Sequence, residues 1–276
     1  MRRRTFLKQS ALFLTMTSTP LVFADSLIHD ENFDIDSHIK DQLPAKRHFN
    51  KNYNKDIFIG KKLLPVLEIS VNRLKSIQRI VGYGNFNLLN FDDAIKIGKS
   101  YLKAGRFTKA ELDFFEMIFY SKGQDYGFMG KKPIQDITDK VIKKDIEKIP
   151  YTGNYLYRGK PAAMYADIKN RLGKDVILTS GVRSVMKQFL LFLNKTRQSQ
   201  GNLSMASRSL APPGYSFHGV GDFDVGKKGY GIHNFTKRFT ETKIYEKLND
   251  LGFIKFRYEQ NNTLGVRFEP WHIEVV

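Results

Sequence analysis

Three clusters in the second half of the chain combine residue types that do chemistry. The first is Ser180-Gly181-Val182-Arg183-Ser184, with Gln188 one turn later. The second is Ser216-Phe217-His218-Gly219-Val220-Gly221-Asp222-Phe223-Asp224. The third is Glu269-Pro270-Trp271-His272-Ile273-Glu274, which holds the only tryptophan. The chain has no cysteine, so any metal must be held by His, Asp or Glu. Two histidines and an aspartate make a three-ligand set that leaves room for a water. A glutamate beside such a set could take the proton from that water. Strand side chains alternate, so Asp222 and Asp224 share one face and both remain candidate ligands. Glu274 shares a strand face with His272 and is a candidate for orienting its imidazole.

Each cluster alone is weak. Most histidines bind nothing, and His29, His38, His48 and His233 read that way. An arginine after a strand is usually a surface or salt-bridge residue, and a tryptophan near a C-terminus is usually core. The joint occurrence of the three clusters carries the argument.

The elements that must position these residues follow from the pattern. Val176-Ile177-Leu178-Thr179 is a β-branched run and predicts a strand leading into the arginine cluster. Val185–Asn194 is apolar at helical spacing and carries Gln188. Residues 201–217 read as a loop, with Pro212, Pro213 and Gly214. Phe223-Asp224-Val225 reads as a short strand, Glu241–Leu251 as a helix ending at Gly252, and Gly265–Phe268 and His272–Val276 as final strands. This mixture predicts an α+β domain over 151–276. Upstream, Leu64, Val66, Leu67, Ile69, Val71, Leu74, Ile77 and Ile80 repeat at helical spacing. Asn90 or Asp92 can cap a second helix, and Thr108 with Glu111 forms a capping-box pattern for a third. A short helical stretch is expected near 137–146. Residues 61–150 thus read as a helical N-terminal region, and the polar stretch 25–60 as an extended arm.

Residues 1–24 read as an export signal. Arg2, Arg3 and Arg4 precede an apolar run from Ala11 to Phe23, and Val22-Phe23-Ala24 is a small-residue cleavage site. Arg3-Arg4-Thr5-Phe6-Leu7-Lys8 resembles the twin-arginine signal, which addresses folded proteins to the periplasm or cell envelope. The formal charge of +17 falls to +13 once four basic and no acidic residues leave with that segment. A surface so basic attracts anionic wall or membrane surfaces. No nucleic-acid-binding motif accompanies the charge. Oligomeric state is not legible.

The three clusters resemble the signature of the VanY-type D-alanyl-D-alanine carboxypeptidases, a family of zinc peptidases. Its pattern reads S-G-x-R-S, then S-x-H-x-x-G-x-A-x-D, then E-x-W-H; the match spans about 150–276. One residue is missing after the histidine. The family's aspartate position falls on Val225, leaving Asp224 six residues and Asp222 four residues past His218. Asp224, mid-strand and followed by an aliphatic residue, is the favoured ligand, with Asp222 the alternative.

The resemblance implies a small antiparallel sheet with flanking helices that holds Zn²⁺ through His218, Asp224 and His272, in a Hedgehog/D-Ala-D-Ala-peptidase-like arrangement. It implies Glu269 as general base and acid, Arg183 as stabiliser of the oxyanion, and Ser216 and Gln188 as substrate contacts. The implied substrate is the peptidoglycan stem peptide. Cleavage of its terminal D-Ala is the leading expectation. An L,D-carboxypeptidase, an endopeptidase on the same material, or a catalytically weak zinc-containing wall-binding module are the alternatives.

Overall fold

The computed structural model describes residues 45–276. The expected export signal lies outside them, as does the first part of the expected arm. Among the described residues no helix is long and apolar enough to cross a membrane.

Helix α1 (Leu64–Val81) forms where the apolar repeat predicts it. Leu67, Val71, Leu74 and Ile77 are its buried stripe, and it stops at Gly82. A short helix α2 (Tyr83–Phe86) follows. Helix α3 (Phe91–Ser100) is capped by the Asn90 side chain, which accepts from the Asp93 N–H. Helix α4 (Lys109–Tyr120) opens with the full capping box of Thr108 and Glu111. A cap of this kind is worth about 1 kcal/mol. Glu111 also receives Arg73 from α1 at 2.7 Å, which ties two of these helices together.

The helical stretch expected near 137–146 is mostly irregular chain, and an antiparallel hairpin of β1 (Ile146–Lys148) and β2 (Tyr155–Tyr157) follows it. Only the single 3-10 turn Lys143–Asp145 remains of that helix. Helix α5 (Lys160–Leu172) carries Pro161 in its first turn and ends at Gly173. Strand β3 (Val176–Ser180) leads into helix α6 (Val185–Gln198), whose N-cap Ser184 accepts from the Lys187 N–H. The expected loop at 201–217 contains a helix, α7 (Leu203–Ser209), capped by Asn202. All seven of its residues are buried, Ser204, Ser207, Arg208 and Ser209 included, so it lacks the solvent-facing polar side that marks a surface helix. Strand β4 (Phe223–Lys227), helix α8 (Lys243–Asp250) and strand β5 (His272–Ile273) complete the fold.

The strand expected at Gly265–Phe268 is irregular chain. Gly265 adopts φ +78, and the segment is held by single bonds instead of a ladder: Arg267 N–H to the Arg208 carbonyl and Glu269 N–H to the Tyr258 carbonyl. The final strand is likewise shorter than predicted.

The sheet has the order β3-β4-β5 and is antiparallel throughout, in a mixed α+β architecture. Its register decides the chemistry. Ser180 lies opposite Asp224, and Asp224 lies opposite His272, so three polar residues form a row across the strands. The neighbours Phe223 and Val225 point to the other face, into a core with Leu178, Ile168, Leu248, Trp271 and Ile273. A separate apolar core joins α1 and α4 to α6 through Leu74, Ile77, Phe115, Phe119, Phe189 and Phe192. There Phe115 meets Phe189 edge-on at 4.8 Å. Residues 52–59 are pinned beside α7: Asp56 binds Arg208 at 2.6 Å, and the Ile57 carbonyl accepts from the Leu203 N–H.

Candidate active site

Five short segments converge on one cavity of about 290 Å³, whose wall includes Ser180, Arg183, Lys187, Ser216, His218, Asp224, Tyr258, Arg267, Glu269 and His272. The arginine cluster is the corner between β3 and α6. It is held by the hairpin, since the Val182 N–H donates to the Tyr155 carbonyl at 2.8 Å. Gly181 is required there, because a Cβ would collide with that same carbonyl. The Arg183 N–H donates to the His218 carbonyl, which links the corner to the histidine turn. Tyr157 braces that turn from the other side, its hydroxyl donating to the Gly219 carbonyl at 2.7 Å.

His218, Asp224 and His272 form the one group among the described residues whose ligand atoms gather as for a metal ion, all within 4.8 Å of one another. Asp224 Oδ1 is 3.2 Å from both His218 Nε2 and His272 Nδ1. Each residue uses its outer atom to hold itself in place. His218 Nδ1 lies 2.8 Å from the Gly181 carbonyl, so the ring carries its proton there and offers Nε2 as a lone pair. Asp224 Oδ2 accepts from Arg183 Nη2 at 2.6 Å. His272 Nε2 is 3.0 Å from Asp222 Oδ2.

The fit to a metal rests on two atoms. His218 Nε2 and Asp224 Oδ1 are buried, face each other, and have no hydrogen-bond partner among the described residues. A buried acceptor without a partner is costly, and two opposed acceptors more so, unless a cation sits between them. Burial, reinforced by Arg183, lowers the His218 pKa to about 4 and keeps the ring neutral. Burial opposes charge on His272 too, but the Asp222 and Asp224 carboxylates outweigh it and raise that pKa to about 9, so Nδ1 serves as a metal ligand only by giving up its proton when the metal binds.

The two candidate aspartates thus take different places. Asp224 joins the cluster. Asp222 lies on the far side of the His272 ring, where it accepts from Arg257 and from the Val275 N–H at 2.8 Å. Asp222 stands just before β4, and the two carboxylates contact opposite nitrogens of the one imidazole. Glu274 was the expected orienting acid, yet no hydrogen bond or ion pair among the described residues joins it to His272. Asp222 occupies that place.

Glu269 enters over the Glu269-Pro270-Trp271 turn, closed by the His272 N–H on the Glu269 carbonyl. Its carboxylate lies 3.8 Å from His272 Nδ1 and 3.7 Å from Arg267 Nε. Burial pushes its pKa up, the condition of a carboxyl that can both take and return a proton. Ser216 lines the cavity. Gln188 does not: its Nε2 donates to the Ala211 carbonyl. The sequence reading missed Lys187, Arg257, Tyr258 and Arg267. The nearest signal was adjacency, since Lys187 precedes Gln188 and Arg267 stands two residues before Glu269.

Residues 160–276 match the family model described as VanY, D-alanyl-D-alanine carboxypeptidase. Among solved structures, a complex of VanYB with D-alanine-D-alanine is similar at 24% identity and TM-score 0.39, over 48% of this chain and 76% of that one. The LD-carboxypeptidase LdcB is similar at 25% identity and TM-score 0.38, over 47% and 62%. A Zn(II) complex of a mutant of the vancomycin-resistance D,D-pentapeptidase VanY is similar at 23% identity and TM-score 0.42, over 55% and 88%. No curated protein matches the chain.

Proposed function

We propose, from the premise that residues 160–276 are a VanY-type carboxypeptidase domain, that the chain is an exported zinc peptidase. On this reading it removes the terminal D-alanine from peptidoglycan stem peptides. The observation that carries the proposal is the pair of buried, partnerless acceptors, His218 Nε2 and Asp224 Oδ1, with His272 Nδ1 beside them. The donor chemistry, two imidazoles and one carboxylate with no thiolate, suits zinc in a catalytic setting. Zinc held there supplies Lewis acidity, polarising a carbonyl oxygen and making water a nucleophile source near neutral pH.

The chain's own residues account for the rest. Glu269 takes a proton from the attacking water. The C–N bond of the terminal amide breaks, and Glu269 returns that proton to the leaving amine. Its burial favours both halves of the exchange. Arg183 holds Asp224 while lining the cavity, so its positive charge lies near the carbonyl oxygen as charge grows there. Ser216, on the same wall, is placed to hydrogen-bond the substrate. Asp222 fixes the His272 ring so that Nδ1 points inward.

The decisive experiment is to purify residues 25–276, measure bound zinc, and assay D-Ala release from a stem pentapeptide. Glu269→Gln should retain zinc and lose about 10²–10⁴-fold in rate. A wild type with no metal and no amidase activity on any wall peptide would end this reading.

A further inference from the structure

Three lysine and arginine side chains line the cavity, and two of them are engaged by neighbouring protein groups. Arg183 gives Nη2 to Asp224 and Nε to Ser180 at 2.9 Å. Arg267 lies between the Phe49 and Trp271 rings, at 4.7 and 5.0 Å, donates through Nη1 to the Phe235 carbonyl, and turns its Nε toward Glu269 at 3.7 Å as an ion pair without a hydrogen bond. Lys187 is the third. No hydrogen bond or ion pair among the described residues engages its ammonium.

Its position is costly in three ways. The side chain is partly buried on the cavity wall. Burial, and then the like charge of Arg183, pull its pKa down to about 8. It also sits in the first turn of α6, its N–H held by the Ser184 cap, and a cation there opposes the helix dipole. Local rules broken together without compensation mark a site whose partner arrives from outside. An anion would relieve both the burial and the repulsion.

We propose that the Lys187 ammonium binds the C-terminal carboxylate of the peptide cleaved in this cavity, and so selects a free chain end over an extended or capped one. The assignment rests on the peptidase reading above. It adds a recognition residue that the three sequence clusters did not contain. A carboxylate is the chemistry that fits: it is compact and singly charged, it accepts from an ammonium, and it belongs to the residue that leaves. The neighbouring Gln188 cannot supply that charge and is occupied by Ala211.

The test compares the zinc-loaded wild type with Lys187→Met and Lys187→Arg. Two substrates are used: a stem pentapeptide with a free terminal carboxylate, and the same peptide as its C-terminal carboxamide. Wild type should cleave the free acid about 10–100-fold better in kcat/KM, the range of one charge-assisted contact. Lys187→Met should lose that preference through KM, with kcat and zinc content held and the carboxamide rate unchanged. Lys187→Arg should restore part of it. A Met variant that keeps the preference overturns the assignment, as does one that weakens both peptides equally. If wild type cleaves neither peptide, the peptidase reading falls and takes this assignment with it. If it cleaves both alike, the assignment alone falls.

Discussion

On the strand side of the cavity, His218, Asp224 and His272 each spend one polar atom on the protein and turn the other inward. On the helix side, Lys187 spends none of its ammonium donors on any described residue. The strand wall is a set of fixed acceptors awaiting a positive charge. The helix wall is a donor awaiting a negative one. Sheet register can hold atoms to fractions of an ångström, which a metal's coordination demands. A lysine on a flexible stem tolerates variation in where a peptide end arrives. The two walls differ because their occupants differ.

That contrast can be broken at four points, in order of expected effect. Asp224→Ala removes one inward acceptor and frees Arg183. Zinc content, read by atomic emission, should drop below a tenth equivalent, roughly a 10³-fold or greater loss of affinity for one of three ligands. If Asp224→Ala retains zinc and Asp222→Ala does not, the two aspartates must exchange roles.

Asp222→Asn should keep the metal but loosen it. Removal of an outer partner typically lowers metal affinity about 10–100-fold. Competition with a chromophoric chelator measures this. An unchanged affinity would mean that the Arg257–Asp222–His272 chain is scaffolding only.

Lys187→Met should stabilise the free protein while weakening its substrate recognition. Folding lowers the Lys187 pKa from an unfolded value of 10.5 to about 8. The unfolded chain therefore binds the proton more tightly, and the charged lysine opposes folding at pH 7. The full penalty, about 3 kcal/mol at most, holds below pH 8 and vanishes as pH rises through 10.5. Thermal melts should place the Met variant about 5 °C above wild type near pH 7, with the gap closing toward pH 10.5. A Met variant that melts lower would mean that the ammonium has a partner in the folded protein.

Tyr157→Phe is the mildest change. It removes the hydrogen bond to the Gly219 carbonyl, worth about 1 kcal/mol, and should leave zinc content intact. Zinc loss in that variant would show that the histidine turn depends on the hairpin.

The sequence made the strand wall legible and the helix wall almost illegible, for a physical reason. His218, Asp224 and His272 belong to local patterns: a glycine-flanked histidine, alternation along a strand, and a Glu-Pro-Trp-His turn. Helix caps at Asn90 and Thr108 are local too, and both stand where the pattern put them. Helix α7 and the β1–β2 hairpin left no trace, being short and lacking a period. The role of Asp222 depends on Arg257, 35 residues away, and the meaning of Lys187 depends on what it does not touch. Gln188 shows the converse, because a residue in the right pattern points at the Ala211 carbonyl instead of the cavity.

Helix α6 belongs to two neighbourhoods at once. Lys187 faces the cavity, while Phe189 and Phe192 are fully buried against α1 and α4. A fragment cut at residue 160, where the family match begins, would bare those rings to water. Truncating a single buried phenylalanine costs about 3–5 kcal/mol, and losing its whole apolar surroundings costs more. Cooperative melting of residues 45–276 as one unit is the expected consequence, because α1 and α4 supply the apolar surroundings that α6 needs.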